Sequence, residues 1–512
     1  MNNIERIKSR KIGKWSWSIL ALLALILYFA ATDYFVFPVK LKTPLLMFLI
    51  ILVCVSGFTT MLANGKGVIA ACVLNFILIT CIVSGLLILP YFEFKVKNIF
   101  VDQSITTSVM NFYSLNDDGR EHIEEYSDAL FIAQTKTDVD NQNYAVELIL
   151  NEIKRDKIDI EYKEDIISAA KALYQKQGDL LILNEVYANQ LEEIEGFEDF
   201  ENDTKIVYTV SRENVSEAEP LVPVRTNITD TPVTIYIAGC DTRSGRLTTY
   251  GRTDVNLIVN INPNTKQILI IGMPRDTYIP NPALDYGYDK LTHLGNNGIY
   301  NTTKGISEYY DIEINYYGEV IFNSFKNIIN AVKGIDVDNP YYFTAWGPVN
   351  SVWTKFEYPS GKIHLDGDAA LAYVRERKSL PNGDYDRSEH QILVLKSFIN
   401  EVISPDIINN FGNLLNSLQG QFMTDVDVDD IFKLVNMQIN DGGNWDIITY
   451  HLGGIGDMCG TASMGWDWKL YVVHPLKSQI TFVKKQIELL KRDEIIIQEV
   501  LPQDDETTYI PN

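Results

Sequence analysis

Three apolar runs in the first ninety residues constrain this chain more than any other feature. They cover 15 to about 37, 45 to 61 and 68 to 90, separated by the loops Phe-Pro-Val-Lys-Leu-Lys-Thr-Pro and Leu-Ala-Asn-Gly-Lys-Gly. The first run is long enough to cross a hydrocarbon core as a helix and too long for the apolar core of a signal peptide. A buried helical hairpin is the alternative for the second and third, and three such runs in succession argue against it. Arg6, Lys8, Arg10, Lys11 and Lys14 precede the first run. A basic flank stays on the cytoplasmic side, so three crossings place everything after Tyr91 outside. Asp33 is near enough to the outer end of its run to reach the headgroups.

With 512 residues there is room for two or three domains, each with its own core. The net charge of -23 argues against a general nucleic-acid binder, which normally shows a basic face. Arginines clustered in so acidic a chain point instead to a local anion site. Of five cysteines, Cys54, Cys72 and Cys81 lie in the apolar runs, so Cys240 and Cys459 allow at most one disulfide outside them. No zinc-type cysteine or histidine spacing is present, and His390 reads as a helix-surface residue. The segment 98–222 reads as a small α-rich accessory domain. Helices are predicted at 143–154, 164–176 and 186–194, with Val146, Leu148, Ile149 and Ile153 at helical spacing, and a short strand at 179–183. The acidic run 191–203 reads as a solvated face and 211–223 as a linker.

A stronger pattern begins at Pro232. An apolar strand over 233–238 ends in Gly239-Cys240-Asp241, which leaves Asp241 at the strand tip, where α/β sheets place ligands. Gly251-Arg252-Thr253-Asp254 leads into a strand over 255–261, and a turn at Asn262-Pro263-Asn264 returns the chain through 267–273 to Pro274-Arg275-Asp276. This hairpin brings Arg275 to the same end as Asp254. Asp241 and Asp254 are the kind of carboxylate pair that holds Mg²⁺ while phosphates supply other oxygens. An aspartate beside a glycine also serves as a plain turn former, and Arg275-Asp276 as a salt-bridged corner. Farther on, Arg375 and Arg377 are two apart in a β-like run and leave one strand face. Pro381-Asn382-Gly383 then forces a turn, Asp386 and Glu389 read as N-cap and N3 of a helix, and Arg387 and Gln391 share a face of it. Three guanidiniums, an amide and a helix N-terminus converging on one point suit a multiply charged phosphate. The alternative is a solvated strand and helix end paired with Glu376, Asp384 and Glu389.

Asp241, Gly251-Arg252-Thr253-Asp254, Met273-Pro274-Arg275-Asp276-Thr277, Lys290 with His293, and Tyr373-Val374-Arg375-Glu376-Arg377 through Arg387 and Gln391 stand in the order of the LytR-CpsA-Psr family. The chain resembles that family over 231–405, and less closely through Tyr471-Val-Val-His-Pro and 481–490. Three spans and an intervening domain resemble most its capsular polysaccharide biosynthesis members.

The resemblance implies an α/β domain over 223–495 with a mixed central sheet flanked by helices, after a membrane region over 1–97, and before a C-terminal tail over 496–512. It further implies a polyprenyl lipid in a hydrophobic groove and a transferase of the Gram-positive envelope. Such an enzyme moves capsular polysaccharide or a related cell-wall glycopolymer, teichoic acid among them, from undecaprenyl pyrophosphate to peptidoglycan with Mg²⁺. Other capsule or cell-wall assembly proteins would be its partners. Position by position, Asp241 and Asp254 match the metal-site aspartates, and Arg252, Arg275, Arg375, Arg377, Arg387 and Gln391 the head-group binders. Asp241, Arg252 and Arg275 are the candidate catalytic residues, Asp241 as the base. Two rivals remain, a phosphohydrolase of the same lipid and a lipid-binding regulator, since relatives carry a transcriptional-attenuator label. Direct action on DNA conflicts with the external topology, the acidity and the lack of a helix-turn-helix signal.

Overall fold

The structure, a computed structural model, describes residues 3–33, 39–63, 66–97, 105–136, 138–215, 227–240, 251–350, 352–404, 413–414, 416–418 and 422–503. The chain divides into two compact units, one of Met1–Ile99, Asn227–Thr229 and Val426–Asn444, the other of the remainder.

In the first unit the three apolar runs are helices α1 (Asn3–Asp33), α2 (Val39–Leu62) and α3 (Lys66–Lys97). Within them Lys11–Thr32, Lys42–Leu62 and Gly67–Ile88 are long and apolar enough to cross a membrane. Their large apolar side chains face outward, Trp15, Phe29, Phe48, Phe58 and Phe76 among them, while Leu20, Ala24, Leu49 and Ile82 pack inward. Polar groups also turn inward: Asn75 Nδ2 donates to Ser16 Oγ at 3.0 Å and to Thr60 Oγ1 at 3.1 Å. That inversion of an aqueous surface, with interhelical hydrogen bonds as glue, is what lipid requires.

The second unit opens with a five-stranded sheet of order β3-β2-β4-β1-β5, from β1 (Ile105–Leu115), β2 (Leu130–Gln134), β3 (Asp159–Lys163), β4 (Leu180–Asn184) and β5 (Thr204–Val215). Helices α4 (Val139–Glu152), α5 (Ile166–Tyr174) and α6 (Glu185–Leu191) accompany it. The predicted helices and the strand near 179–183 are present, but the segment is α/β rather than α-rich. Four of its strands escape a periodicity reading because they are set by pairing between segments distant in sequence, as between β1 and β5. The run 211–223 begins inside β5, and 216–223 lies outside the described residues.

The following domain is α/β around a mixed six-stranded sheet of order β16-β11-β6-β7-β8-β17. Its strands are β6 (Val233–Cys240), β7 (Thr253–Asn262), β8 (Gln267–Gly272), β11 (Tyr316–Ile321), β16 (Phe422–Thr424) and β17 (Asp446–His451). Small strands β9 (Tyr278–Asn281) and β10 (Gly287–Lys290) pair beside it, and β12 (Ile335–Asn339) to β15 (Gly361–Leu365) form two further pairs. One of those is the hairpin of β13 (Phe343–Val349) and β14 (Val352–Tyr358). On one face of the sheet Leu257, Val259, Ile268 and Ile270 pack Ile392 of helix α12 (Asp384–Ile403). Gly272 permits that approach, since a Cβ there would meet Ile392 Cδ1 at 2.6 Å. On the other face Tyr236, Ile258, Leu269 and Ile271 pack the helices Ile299–Tyr310 and Lys477–Lys491. The chain stays attached beyond that helix, because Gln267 exchanges hydrogen bonds with Ile496 at 2.7 and 2.9 Å.

Two local expectations change. Tyr373-Val374-Arg375 is not a strand but the end of helix α11 (Gly367–Arg375), so Arg375 and Arg377 do not alternate on a pleat. Helix α12 starts at Asp384 after Gly383, whose φ of 57° reverses the chain, and Asp386 accepts from Asn382 N and Nδ2 inside the first turn. His390 is buried, not superficial: its ring stacks on Tyr373 with centroids 4.3 Å apart, and burial lowers it to about 4. Cys240 and Cys459 are not joined in a disulfide.

Candidate functional site

The chain reversal between β7 and β8 sets the geometry. Leu257 pairs with Gly272, so the start of β7 and the exit of β8 lie side by side, and Arg275 Nη1 reaches Asp254 Oδ1 at 3.0 Å. Helix α12 crosses the same sheet end and adds Arg387, ion-paired with Asp384, whose carboxylate is also 3.8 Å from Arg275 Nε. Arg252 Nη2 stands 3.9 Å from Asp254 Oδ2. Four predicted residues, Arg252, Asp254, Arg275 and Arg387, are thus brought together and largely buried. Gln391 is buried one turn beyond Arg387, its Nε2 3.5 Å from Val374 O, which ties α12 to α11. Arg375, at the end of α11, and Arg377, on the connection to α12, are exposed, and Arg377 lies near enough to repel Arg387. Asp241 lies outside the described residues, as do Arg243 and Arg246.

Three further residues belong to the cluster. Lys290 Nζ bonds Glu193 Oε2 at 2.6 Å and Asp276 Oδ1 at 3.0 Å. Glu193, from the turn after α6, also meets Arg252 Nη1 at 3.1 Å and Arg275 Nη2 at 3.6 Å. The five-stranded sheet therefore sends a carboxylate into the site of its neighbour. The acidic run reads in sequence as a solvated face, and at Glu193 the structure differs. Leu191, Ile194, Phe197 and Phe200 bury one side of the run and turn Glu193 inward. Nothing local marks this glutamate, because its partners Arg252 and Lys290 are 59 and 97 residues away.

Burial pushes the Glu193 carboxyl up, but Lys290, Arg275 and Arg252 outweigh it and hold the group well below the usual carboxylate range. Asp254 is likewise raised by burial and carried far down by Arg275, Arg252 and Arg387. Burial lowers Lys290, and Glu193 with Asp276 more than restores it. Arg387 differs: burial pulls it down, and Asp384 compensates only in part. The Nε–H groups of Arg275 and Arg387 are buried and meet no hydrogen-bond acceptor among the described residues. Buried donors of this kind call for an anionic acceptor. Asp289, His293 and Ser463 also meet nearby, yet Asp289 Oδ1 and Ser463 Oγ both approach His293 Nδ1, at 2.7 and 3.1 Å. A hydroxyl nucleophile needs the other ring nitrogen, so this is not a catalytic triad.

Residues 199–465 match the LytR_cpsA_psr family, and the chain belongs to it. It is 32% identical over 204 residues to the polyisoprenyl-teichoic acid–peptidoglycan teichoic acid transferase TagU of Enterococcus faecalis, across 40% of this chain and 64% of that one. With TagU of Oceanobacillus iheyensis it shares 33% over 224 residues, 42% of this chain and 65% of that one. The chain thus spans just under two thirds of the length of these relatives. Bacillus subtilis TagV superposes with a TM-score of 0.43 at 24% identity, over 52% of this chain and 99% of TagV. TagT bound to LI-WTA gives 0.42 at 22%, over 55% and 100%.

Proposed function

We propose that this protein is a membrane-anchored glycopolymer transferase that moves an envelope polymer from a polyprenyl pyrophosphate carrier to peptidoglycan outside the cell. The observation that carries the reading is the buried arginine cluster at the sheet end, where the Nε–H groups of Arg275 and Arg387 meet no hydrogen-bond acceptor among the described residues. Relatives named as teichoic acid transferases support a wall polymer, and the three apolar helices with an intervening domain favour capsular polysaccharide as the finer assignment.

As the pyrophosphate linkage breaks, negative charge grows on the departing oxygens. Arg252, Arg275 and Arg387 stabilise that growth from buried, preset positions, and Arg375 and Arg377 hold the outer part of the head group. Each charge-assisted hydrogen bond contributes about 1.5 to 3 kcal/mol, less than additively when several share one ligand. Asp276, held by Lys290, stands 3.9 Å from Arg275 Nε, and Gln391 holds α12 against α11. Asp254 Oδ2 is ion-paired with Arg252 Nη2 at 3.9 Å without a hydrogen bond, and Asp254 with Asp241 would hold Mg²⁺ through carboxylate oxygens. Bound there, Mg²⁺ would neutralise phosphate charge. Head-group entry requires displacement of Glu193, whose carboxylate already occupies the space between Arg252, Arg275 and Lys290. A cleft of about 550 Å³, edged by Asp138, Asn184, Tyr187, Trp466 and Trp468, offers amides, carboxylates and ring faces to a glycan.

The test uses the full chain in detergent with a lipid-linked glycopolymer, with and without peptidoglycan. Polymer joined to peptidoglycan, lost in Asp254→Ala, is the expected outcome. Equal release of free polymer without the acceptor would make the protein a phosphohydrolase and overturn the proposal.

A further inference from the structure

We propose that Asp457, Cys459 and His474 form a binding site for a borderline-soft divalent metal, Zn²⁺ above all, on the hairpin of β18 (Gly454–Thr461) and β19 (Gly465–Pro475). The site goes beyond the transferase reading and shares no residue with the arginine cluster. Asp457 and Cys459 are two apart on β18 and leave the same face. His474 pairs with Ile455 across the ladder and reaches Asp457 along the diagonal. The ligand atoms form a triangle: Cys459 Sγ to Asp457 Oδ2 is 3.5 Å, Cys459 Sγ to His474 Nε2 3.8 Å, and His474 Nε2 to Asp457 Oδ2 3.4 Å.

A sulfur, a nitrogen and an oxygen bound tetrahedrally to zinc, at about 2.0 to 2.3 Å, stand about 3.3 to 3.6 Å from one another. The three side chains are already spaced as one face of such a tetrahedron, and the widest edge exceeds the ideal by only about 0.2 Å. Thiolate and imidazole select zinc over Mg²⁺ or Ca²⁺, which take all-oxygen sites. Charge balances as well: the thiol gives its proton to solvent, and thiolate and carboxylate together neutralise the ion. The side chain of His474 is 5% exposed and that of Asp457 56%, so the back of the triangle is closed and the fourth position faces water. Tyr278 fixes the imidazole, its ring edge-on at 5.4 Å while its hydroxyl donates to Gly460 O at 2.7 Å. An ion here joins the two strands of a hairpin whose Met464 and Leu470 enter the core of the five-stranded sheet. It therefore stiffens the element that links the two sheets.

The experiment takes the full chain in detergent, stripped with a chelator, and titrates it with Co²⁺ and then with Zn²⁺. Expected are one Co²⁺ per chain, a thiolate-to-cobalt charge-transfer band, displacement of Co²⁺ by Zn²⁺ and a higher unfolding temperature with metal. Cys459→Ser abolishes the band and weakens Zn²⁺ binding by at least about 100-fold, and Asp457→Asn by about 10-fold or more. Asp457 is exposed, so its variant folds even where loss of the thiol or of buried His474 does not. Absence of the band in the native chain, or equal Zn²⁺ affinity in native and Asp457→Asn proteins, overturns the site.

Discussion

Replacing Glu193 by Gln keeps the shape of the side chain and removes its charge. Four cations, Arg252, Arg275, Lys290 and Arg387, stand among four carboxylates, Glu193, Asp254, Asp276 and Asp384. The exchange leaves one positive charge in excess where the pyrophosphate is proposed to bind. At an effective dielectric of about 20, unit charges about 4 Å apart interact by about 4 kcal/mol. Water and salt entering the opened site screen most of this. A net gain of about 1 kcal/mol, roughly five-fold in affinity, is the expected magnitude. Stability moves the other way, because Lys290 and Arg252 then donate to a neutral amide instead of a carboxylate, at a cost of about 1 to 3 kcal/mol. Calorimetric titration with inorganic pyrophosphate, beside thermal unfolding of the same full-length samples, reads both quantities. Tighter binding in a less stable protein is expected. Weaker binding in parallel with lower stability refutes the reasoning, since Glu193 would then hold the cations ready for the ligand rather than occupy its place.

Arg387→Lys should lose about ten-fold or more in pyrophosphate affinity, because an ammonium cannot reproduce the buried fork, while Arg375→Lys at the exposed end of α11 changes it by less than about two-fold. Equal losses in the two titrations would remove the distinction between buried and exposed arginines. Burial beside Cys240 raises the Glu319 carboxyl to about 7, so the folded chain keeps a proton that the unfolded chain releases near 4.5. Its contribution is full below about pH 4.5 and is lost as pH rises through about 7, by about 3 kcal/mol in all. Glu319→Gln should flatten that part of the stability profile, and an unchanged slope in unfolding titrations would show that another group carries it. A reporter active only outside the cell should work when fused after residue 110 and fail near Gly65, and the reverse pattern places the domains in the cytoplasm.

The three long apolar helices were legible in the order of residues because fitness to span a membrane is a local property: length and hydropathy suffice, whatever the partners. So was the arrangement of β6, β7 and β8, where apolar runs and the Asn262-Pro263-Asn264 turn force Arg275 back to Asp254. Motifs at fixed spacing also placed Arg252 and Arg387, whose positions follow from the element each begins. Only the tertiary structure decided the rest. Tyr373-Val374-Arg375 carries strand-forming residues, yet it continues a helix begun at Gly367 because Tyr373 and Ala370 bury in one core with Phe343 and Tyr358. His390, polar in sequence, becomes a core ring between aromatic neighbours. Glu193 acquires its role from cations supplied by another sheet, and Cys459 meets His474 through antiparallel pairing rather than by a recognisable ligand spacing. The physical reason is the same in each case. Local patterns report what a segment needs to bury, whereas the identity of a charged or soft group's partner depends on which distant surfaces pack together.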